Sequence, residues 1–533
     1  MTEKKQILKS ASIITLVTIA SRILGYVRDQ RLMLLLGTSM TADSFVLAYS
    51  IPNLLRRLVG EGSMTASFIP VFTGYMAGKR REELWEFANR LFWTLAILLA
   101  VLTVLGMVFS PSVIHLFTFF NKKQLQWDEA VYLNRIIFPY IFFIGLAALA
   151  MAILNCFHVF GLPAATPILL NVAIITFSLS AVWGRFSSPA VALAVGVLVG
   201  GVLQFLVQVP SLVRHGMRFD FGISLSHPGI RAVGRLMVPG FFGIGISQVN
   251  FLVDRMFATA PRMPAGSVTA LYVADRVMEL VLGGYAIAVA TAILPMMSHQ
   301  AAAGDYDAMK KTFAFSLRIV SFITIPAAVG LVILREPIIH VLFEHGRFVA
   351  SSTKLTARAL LYYSLGLPAF AAVKLIVPAF YSTKDTKTPV RVAAYTFVLN
   401  VVLNALFLAY FFKRFQNGGP ALATSLAAFF NFSMLFVIFR LRFGRLGTME
   451  LLRSLGKILV CSTVMGALCW FGLRVSHFSD YQRFMPQLGI FTALIVGATL
   501  VYLALAWAFR CPEVEEVYGI AMRRERAAPG MME

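Results

Sequence analysis

Stretches of about 20 predominantly apolar residues, enough for an α-helix to cross the hydrocarbon of a bilayer, recur along this whole chain. Fourteen are read: 11–36, 40–73, 88–110, 132–157, 165–184, 188–213, 233–259, 267–297, 313–334, 357–382, 390–412, 420–441, 454–474 and 487–509. In hydrocarbon every backbone N–H and C=O must be satisfied internally, so only helices or closed barrels can span. The alternation over ~10 residues that marks barrel strands is absent. The expected fold is therefore all-α and polytopic, with 14 transmembrane helices. The second and eighth stretches are long for one span; Gly60 and Gly62, and Gly283 and Gly284, are the expected breaks. Of 533 residues 58% are hydrophobic and 14% charged, against about 25% charged in soluble domains.

The chain also repeats. FIPVFTGYMAGKRREELWEFANRLF (68–92) matches ILPMMSHQAAAGDYDAMKKTFAFSL (293–317). At a similar shift SPSVIHLF (110–117) matches EPIIHVLF (336–343), and Thr166-Pro167 matches Thr388-Pro389. Both copies keep one membrane orientation, so they are parallel repeats. This predicts two pseudo-symmetric lobes, 1–215 and 216–445, followed by two C-terminal helices within 446–510 and a tail, 511–533. Parallel repeats place a binding site between halves, near mid-membrane, and suit alternating access.

The net charge is +22. No basic module stands outside the spans, so nucleic acid is not the expected partner; positive-inside loops and an anionic ligand are. With the N-terminus cytoplasmic, the inside segments include Lys4, Lys5, Lys9, Arg80, Arg81, Lys310, Lys311, Lys384, Lys387, Arg440 and Arg442. The outside loops hold roughly half as many Lys and Arg, which places both termini in the cytoplasm. MTEKKQILKS carries no cleavage signature, so the first helix is expected to serve as the membrane address.

Between Ser21 and Pro70 the spans carry Arg22, Arg28, Asp29, Asp43, Arg56, Arg57 and Glu61. Each charge at bilayer depth costs roughly 3 kcal/mol, so these residues must face a bundle interior, a wet cavity or the interface. Arg22 and Arg28, six residues apart, lie about 120° apart around the helix and can flank one concave face. Arg28 with Asp29 could instead snorkel outward. Asp43 is either a cavity group or a helix-start residue. Arg56 and Arg57 cannot share a face, and Glu61 could pair with either. The second half adds Asp275, Arg276 and Glu279 on one span, with Lys374 on another. Arg276 suits a pyrophosphate because guanidinium binds it bidentately and keeps its charge when desolvated. Asp254, Asn400, Asn404 and Thr424 offer hard oxygens for a small cation such as sodium; interhelical polar glue is the alternative for the asparagines. There is no P-loop, no metal-spaced histidine set and no G-x-S-x-G. The expectation is a transporter, not an enzyme, requiring no cofactor beyond a candidate Na+.

SRILGYVRD (21–29), TADSFVLAYSIPNLLRRLVGEGSMTASFIPVF (41–72), VADRVMEL (273–280) and VPAFYSTKDTKTPV (377–390) resemble the MurJ/MviN family of bacterial lipid II flippases, within the multidrug/oligosaccharidyl-lipid/polysaccharide exporter superfamily. The resemblance covers essentially the whole chain. It implies movement of undecaprenyl-pyrophosphate-linked disaccharide pentapeptide from the inner to the outer leaflet of the bacterial cytoplasmic membrane, for peptidoglycan. It implies roles for Arg22, Arg28, Asp43, Arg56 and Arg276, with Ser21 and Glu61 alongside, and a tail groove at the last two helices. It also implies a sodium site at Asp254, Asn400, Asn404 and Thr424, where an acid of some relatives is replaced by Asn404. A monomer that meets membrane lipids and cell-wall synthesis or division proteins is expected. Exchange of salt bridges, for example Arg28 with Asp43, is the expected release device. An exporter of another polyprenyl-linked glycan, or an ion-coupled drug antiporter, is the nearest alternative. A membrane-embedded transferase and a passive scaffold are the others.

Overall fold

Ten helical stretches of the computed structural model are long and apolar enough to cross a membrane, counted among the described residues. Those residues are 3–58, 64–78, 80–118, 126–182, 184–284, 286–444, 447–476, 478 and 484–514. No strand occurs among them. Packing divides the chain into two units, Met1–Thr269 with His345–Ser352, and Ala270–Glu344 with Thr353–Glu533.

The first unit runs through α1 (Glu3–Leu36), α2 (Met40–Leu58), α3 (Met64–Gly78), α4 (Arg81–Val108), α5 (Ser110–Leu116) and α6 (Trp127–Ile137). It continues with α7 (Tyr140–Cys156), α8 (Gly161–Ala181), α9 (Pro189–Leu206), α10 (Val209–His215) and α11 (Pro228–Ala258), then the start of α12 (Ser267–Gly284). Its core is aromatic where α3 meets α4, with Phe68, Phe72 and Phe87 fully buried and their ring centroids 4.9 to 6.4 Å apart. Helices α8 and α9 approach closely at Gly200, where a Cβ would lie 2.9 Å from Leu170 Cα. Small residues at such contacts let membrane helices gain dispersion energy that lipid does not supply. Helix α1 lies against α8, and α11 against α2 and α3.

The second unit holds the rest of α12, then α13 (Ala286–Ala302), α14 (Tyr306–Ile333), α15 (Arg335–Phe343), α16 (Ala350–Ser382) and α17 (Lys387–Ala409). A short α18 (Phe412–Phe415) and a 3-10 turn lead into α19 (Gly419–Phe443), α20 (Thr448–Val475) and α21 (Phe484–Ala508). Helix α14 packs on α20, and α17 on α19. The Tyr502 hydroxyl of α21 donates to the Phe322 carbonyl of α14 at 2.8 Å. Few residues of α21 are buried, so the face turned away from α20 and α14 is suited to lipid.

The repeat is visible element by element. Helices α3, α4 and the short α5 correspond to α13, α14 and the short α15. The eighth expected span is covered by α12 and α13, and the break expected at Gly283 and Gly284 falls against residue 285, which lies outside the described residues. The break expected at Gly60 and Gly62 lies outside the described residues. The four expected spans beyond the ten fall on α1, on α2 with α3, on α11, and on α12 with α13. Helices α2 and α12 each carry three charged residues within one short helix. Division by packing differs from division by repeat, because α11 follows the first repeat's end yet packs within the first unit.

Candidate functional site

Helix α1 brings Ser21, Arg22, Arg28 and Asp29 to its second half. The Arg28 guanidinium donates to Asp29 Oδ1 from Nε at 2.9 Å and from Nη2 at 2.7 Å. Its Nη1 donates to Asn171 Oδ1 on α8 at 3.1 Å. The Asn171 amide in turn donates to the Ser21 carbonyl at 3.1 Å. Asn171 thus ties two turns of α1 together and fixes the direction of the guanidinium plane. With the side chains only 12% and 7% exposed, the Arg28–Asp29 pair is weakly screened and strongly oriented. One turn and a half away, Arg22 is exposed and makes no ion pair among the described residues. Arg31, which the sequence reading passed over, extends the row and donates to Ser178 Oγ at 3.4 Å.

Helix α2 contributes the second group. Pro52 removes one backbone donor within the helix, and next to it Asn53 Oδ1 accepts from Arg56 Nε at 2.9 Å. Arg57 turns the other way and donates to Gln248 Oε1 on α11 at 3.0 Å. The adjacent arginines therefore diverge, as helical spacing requires. Arg255 of α11 donates to the Ser50 hydroxyl of α2. Asp254 beside it is fully buried. Glu61 lies outside the described residues.

Asp43 behaves differently from the expected salt-bridge partner. Its Oδ2 accepts from Gly266 N at 2.7 Å, and its Oδ1 accepts from Thr269 N at 2.8 Å and Thr269 Oγ1 at 2.7 Å. It stands in the first turn of α2, yet it caps the start of α12. The start of α2 has its own cap: Ser39 Oγ accepts from Ala42 N at 3.1 Å. Free amides and the positive end of a helix dipole attract a carboxylate, and α12 offers both in a buried place. The Arg28–Asp43 pairing is therefore not formed here; Arg28 is on Asp29 and Asn171. Backbone geometry holds this junction. Gly266 has φ +85°, and a Cβ there would lie 2.3 Å from the Thr38 carbonyl oxygen.

In the second unit Arg276 Nη1 pairs with Glu279 Oε2 at 2.7 Å, and the guanidinium sits 5.1 Å from the Tyr272 ring centroid. Asp275 is 5% exposed, and Lys374 is half-buried and partnered. Asn400 Nδ2 donates to Thr424 Oγ1 at 2.8 Å, and Asn404 Nδ2 donates to the Asn400 carbonyl at 3.1 Å. The first contact joins α17 to α19 as polar glue does, and the second stays within α17. No three His, Cys, Asp or Glu gather for a metal among the described residues.

Between residues 21 and 58, Arg22, Arg28, Arg31, Arg56 and Arg57 stand against Asp29 and Asp43. Counted by sequence, that stretch holds five arginines to two acids, and one of those acids, Asp43, is engaged by the amino end of α12. Such a surplus, half-buried, binds an anion far better than a cation or a neutral solute. Asn171, Gln248 and Thr269 were missed from sequence because each is a lone polar residue in an unremarkable setting.

Residues 33–487 match the family model described as lipid II flippase MurJ. The chain is 37% identical over 482 residues to a "Probable lipid II flippase MurJ" of Vibrio cholerae, covering 88% of this chain and 90% of that one. It is 30% identical to the "Lipid II flippase MurJ" of Burkholderia cenocepacia, over 92% and 95% of the two chains. A solved structure titled "Lipid II flippase MurJ, inward closed conformation" superposes with TM-score 0.75 at 26% identity, over 93% and 98% of the chains. An inward-facing multidrug resistance MATE family transporter of the MOP superfamily superposes with TM-score 0.65 at 14% identity, over 82% and 99%, a likeness of fold alone.

Proposed function

This chain belongs to the lipid II flippase MurJ family, and from that premise we propose that its arginines hold the pyrophosphate of lipid II during transfer between leaflets. It is a transporter and not a catalyst. The observation that carries the assignment is the arginine-rich stretch of α1 and α2, five arginines to two acids, with Arg22 exposed and Arg28 donating twice to one oxygen of Asp29. A pyrophosphate and its bulky polar sugar-peptide cannot cross about 30 Å of hydrocarbon bare. Arginine replaces the lost hydration with charge-assisted hydrogen bonds while the polyprenyl tail stays in lipid. Arg276 is proposed as a further cation for the same substrate, on the chemistry of its guanidinium. The flanks of α20 and α21 suit the tail, since most of α21 is uncovered.

Release requires that the grip weaken. Asp29 is the built-in competitor: when its carboxylate takes both Nε and Nη2 of Arg28, the phosphate loses the bidentate face. Complementation of a strain depleted of its lipid II flippase tests the assignment. Arg28→Ala and Arg276→Ala are expected to abolish growth, and Arg28→Lys to restore it only in part because the fork geometry is lost. Full growth with both alanine variants would remove the site.

Sodium coupling through Asp254, Asn400, Asn404 and Thr424 is a separate proposal, supported by their burial. Equal transport when choline replaces Na+ would end it. Placement in the bacterial cytoplasmic membrane with both ends inside rests on the Lys and Arg bias.

A further inference from the structure

At one end of the second unit the chain turns from α16 into α17 beside the end of α19 and the start of α14, and a cavity of about 730 Å³ opens there. Tyr306, Lys384, Asp385, Lys387, Arg442 and Phe443 line it. Asp385 cancels only one of the three cations. Its carboxylate accepts from Lys387 N, Thr388 N, Thr388 Oγ1 and Arg442, so its acceptor capacity is filled. Helix α17 therefore has no spare amino-terminal donors to offer through that turn. Lys384 and Lys387 are exposed and form no ion pair among the described residues. Two positive charges face an open cavity walled by aromatic rings.

The turn itself does not need them. Lys384 N donates to Tyr381 O at 2.9 Å and Asp385 N to Phe380 O at 3.0 Å, with Lys384 at φ +62°. This is a Schellman helix stop, whose left-handed position favours glycine. The first repeat closes α7 in the same way, with His158 at φ +59°, His158 N on Asn155 O at 3.1 Å and Val159 N on Leu154 O at 3.0 Å. From His158 to Pro167 that copy carries no Lys or Arg. The fold thus tolerates the turn without lysine, and a lysine at a left-handed position costs roughly 1 kcal/mol. A strained residue that the turn does not require points to a role outside folding.

We propose that this cavity binds the phosphate headgroup of an anionic phospholipid of the surrounding bilayer, separately from the transported substrate. Lysine ammonium groups suit a phosphate as mobile point charges, and Arg442 adds a fixed fork. A lipid source is favoured over free phosphate by the rim. Leu441 beside Arg442 is 81% exposed, and Tyr381 and Tyr306 are 43% and 45% exposed. Exposed leucine and tyrosine next to lysine and arginine mark the level where headgroups meet hydrocarbon.

The test is melting temperature and native mass spectrometry of the purified full-length protein in neutral detergent, titrated with phosphatidylglycerol, phosphatidylcholine or inorganic phosphate. Phosphatidylglycerol is expected to raise Tm and remain bound; the other two are expected to do neither. Lys384→Gly suits the left-handed backbone, so it should fold at least as well while weakening phosphatidylglycerol binding about five-fold, with a similar loss for Lys387→Gln. Lys413→Gln, in α18 beyond the far end of α17, should leave binding unchanged. Unaltered binding in the Lys384→Gly, Lys387→Gln double variant overturns the proposal. So does an equal Tm rise with inorganic phosphate alone, which would make the cavity a soluble-anion site.

Discussion

Arg28 shows how little of a charged residue's role is set by its own identity. Two of its donors are on Asp29 and a third on Asn171, so its charge is held in direction but only partly neutralised. Asp29→Asn should therefore tighten binding of a pyrophosphate-bearing lipid several-fold while slowing transfer, because the competitor for the bidentate face is lost. Equilibrium binding and leaflet transfer measured side by side check this; parallel loss of both would argue for a purely structural pair. Asp385 gives a pH signature outside the spans. Burial raises its pKa, but the hydroxyl and amide of Thr388 and the Arg442 guanidinium outweigh it and hold the carboxyl at about 2. A depressed pKa contributes stability above the unfolded value of about 3.9, and that stability is lost as pH falls toward 2. Asp385→Asn should flatten that portion of an acid-unfolding profile, followed by intrinsic fluorescence.

At the scale of elements, the junction of α1, α2 and α12 depends on one carboxylate and one glycine. Asp43→Ala would leave two buried amides and a hydroxyl without their acceptor, at a cost of about 3 kcal/mol, with Asp43→Asn intermediate. Gly266→Ala meets both a positive φ and a carbonyl oxygen at 2.3 Å, so it should lower Tm by several degrees. Gly234→Ala within α11 meets nothing within 4 Å and should be neutral or stabilising, as alanine favours helix by up to about 1 kcal/mol. Thermal melts of the four variants in one detergent compare them. The helices themselves were legible: the apolar runs and the paired short helices α5 and α15 follow from pattern. The cap of α12 was not, because its acceptor lies 223 residues earlier in the chain. Asp43 looked like a residue serving its own helix, whereas Ser39 already does that.

For the whole molecule, the testable consequence of the charge bias is topology. Reporters fused at each end should be active only in their cytoplasmic form; a periplasmic signal from either end would contradict the placement. The excess of arginine over acid in α1 and α2 was readable as composition, and so was the direction of its preference, toward an anion. Which arginines keep their charge available was not readable, since Asn171 and Gln248 are 143 and 191 residues from the arginines they meet.

Hydrophobicity acts through length along the chain, so the primary structure alone settled the membrane class, the helices and the surplus of positive charge. Hydrogen bonds and ion pairs act through distance in space and need their partners within about 3 to 4 Å, wherever those lie along the chain. Only the folded arrangement could decide that Asp43 serves the amides of α12, that Asp29 answers Arg28, and that two lysines are left facing a cavity.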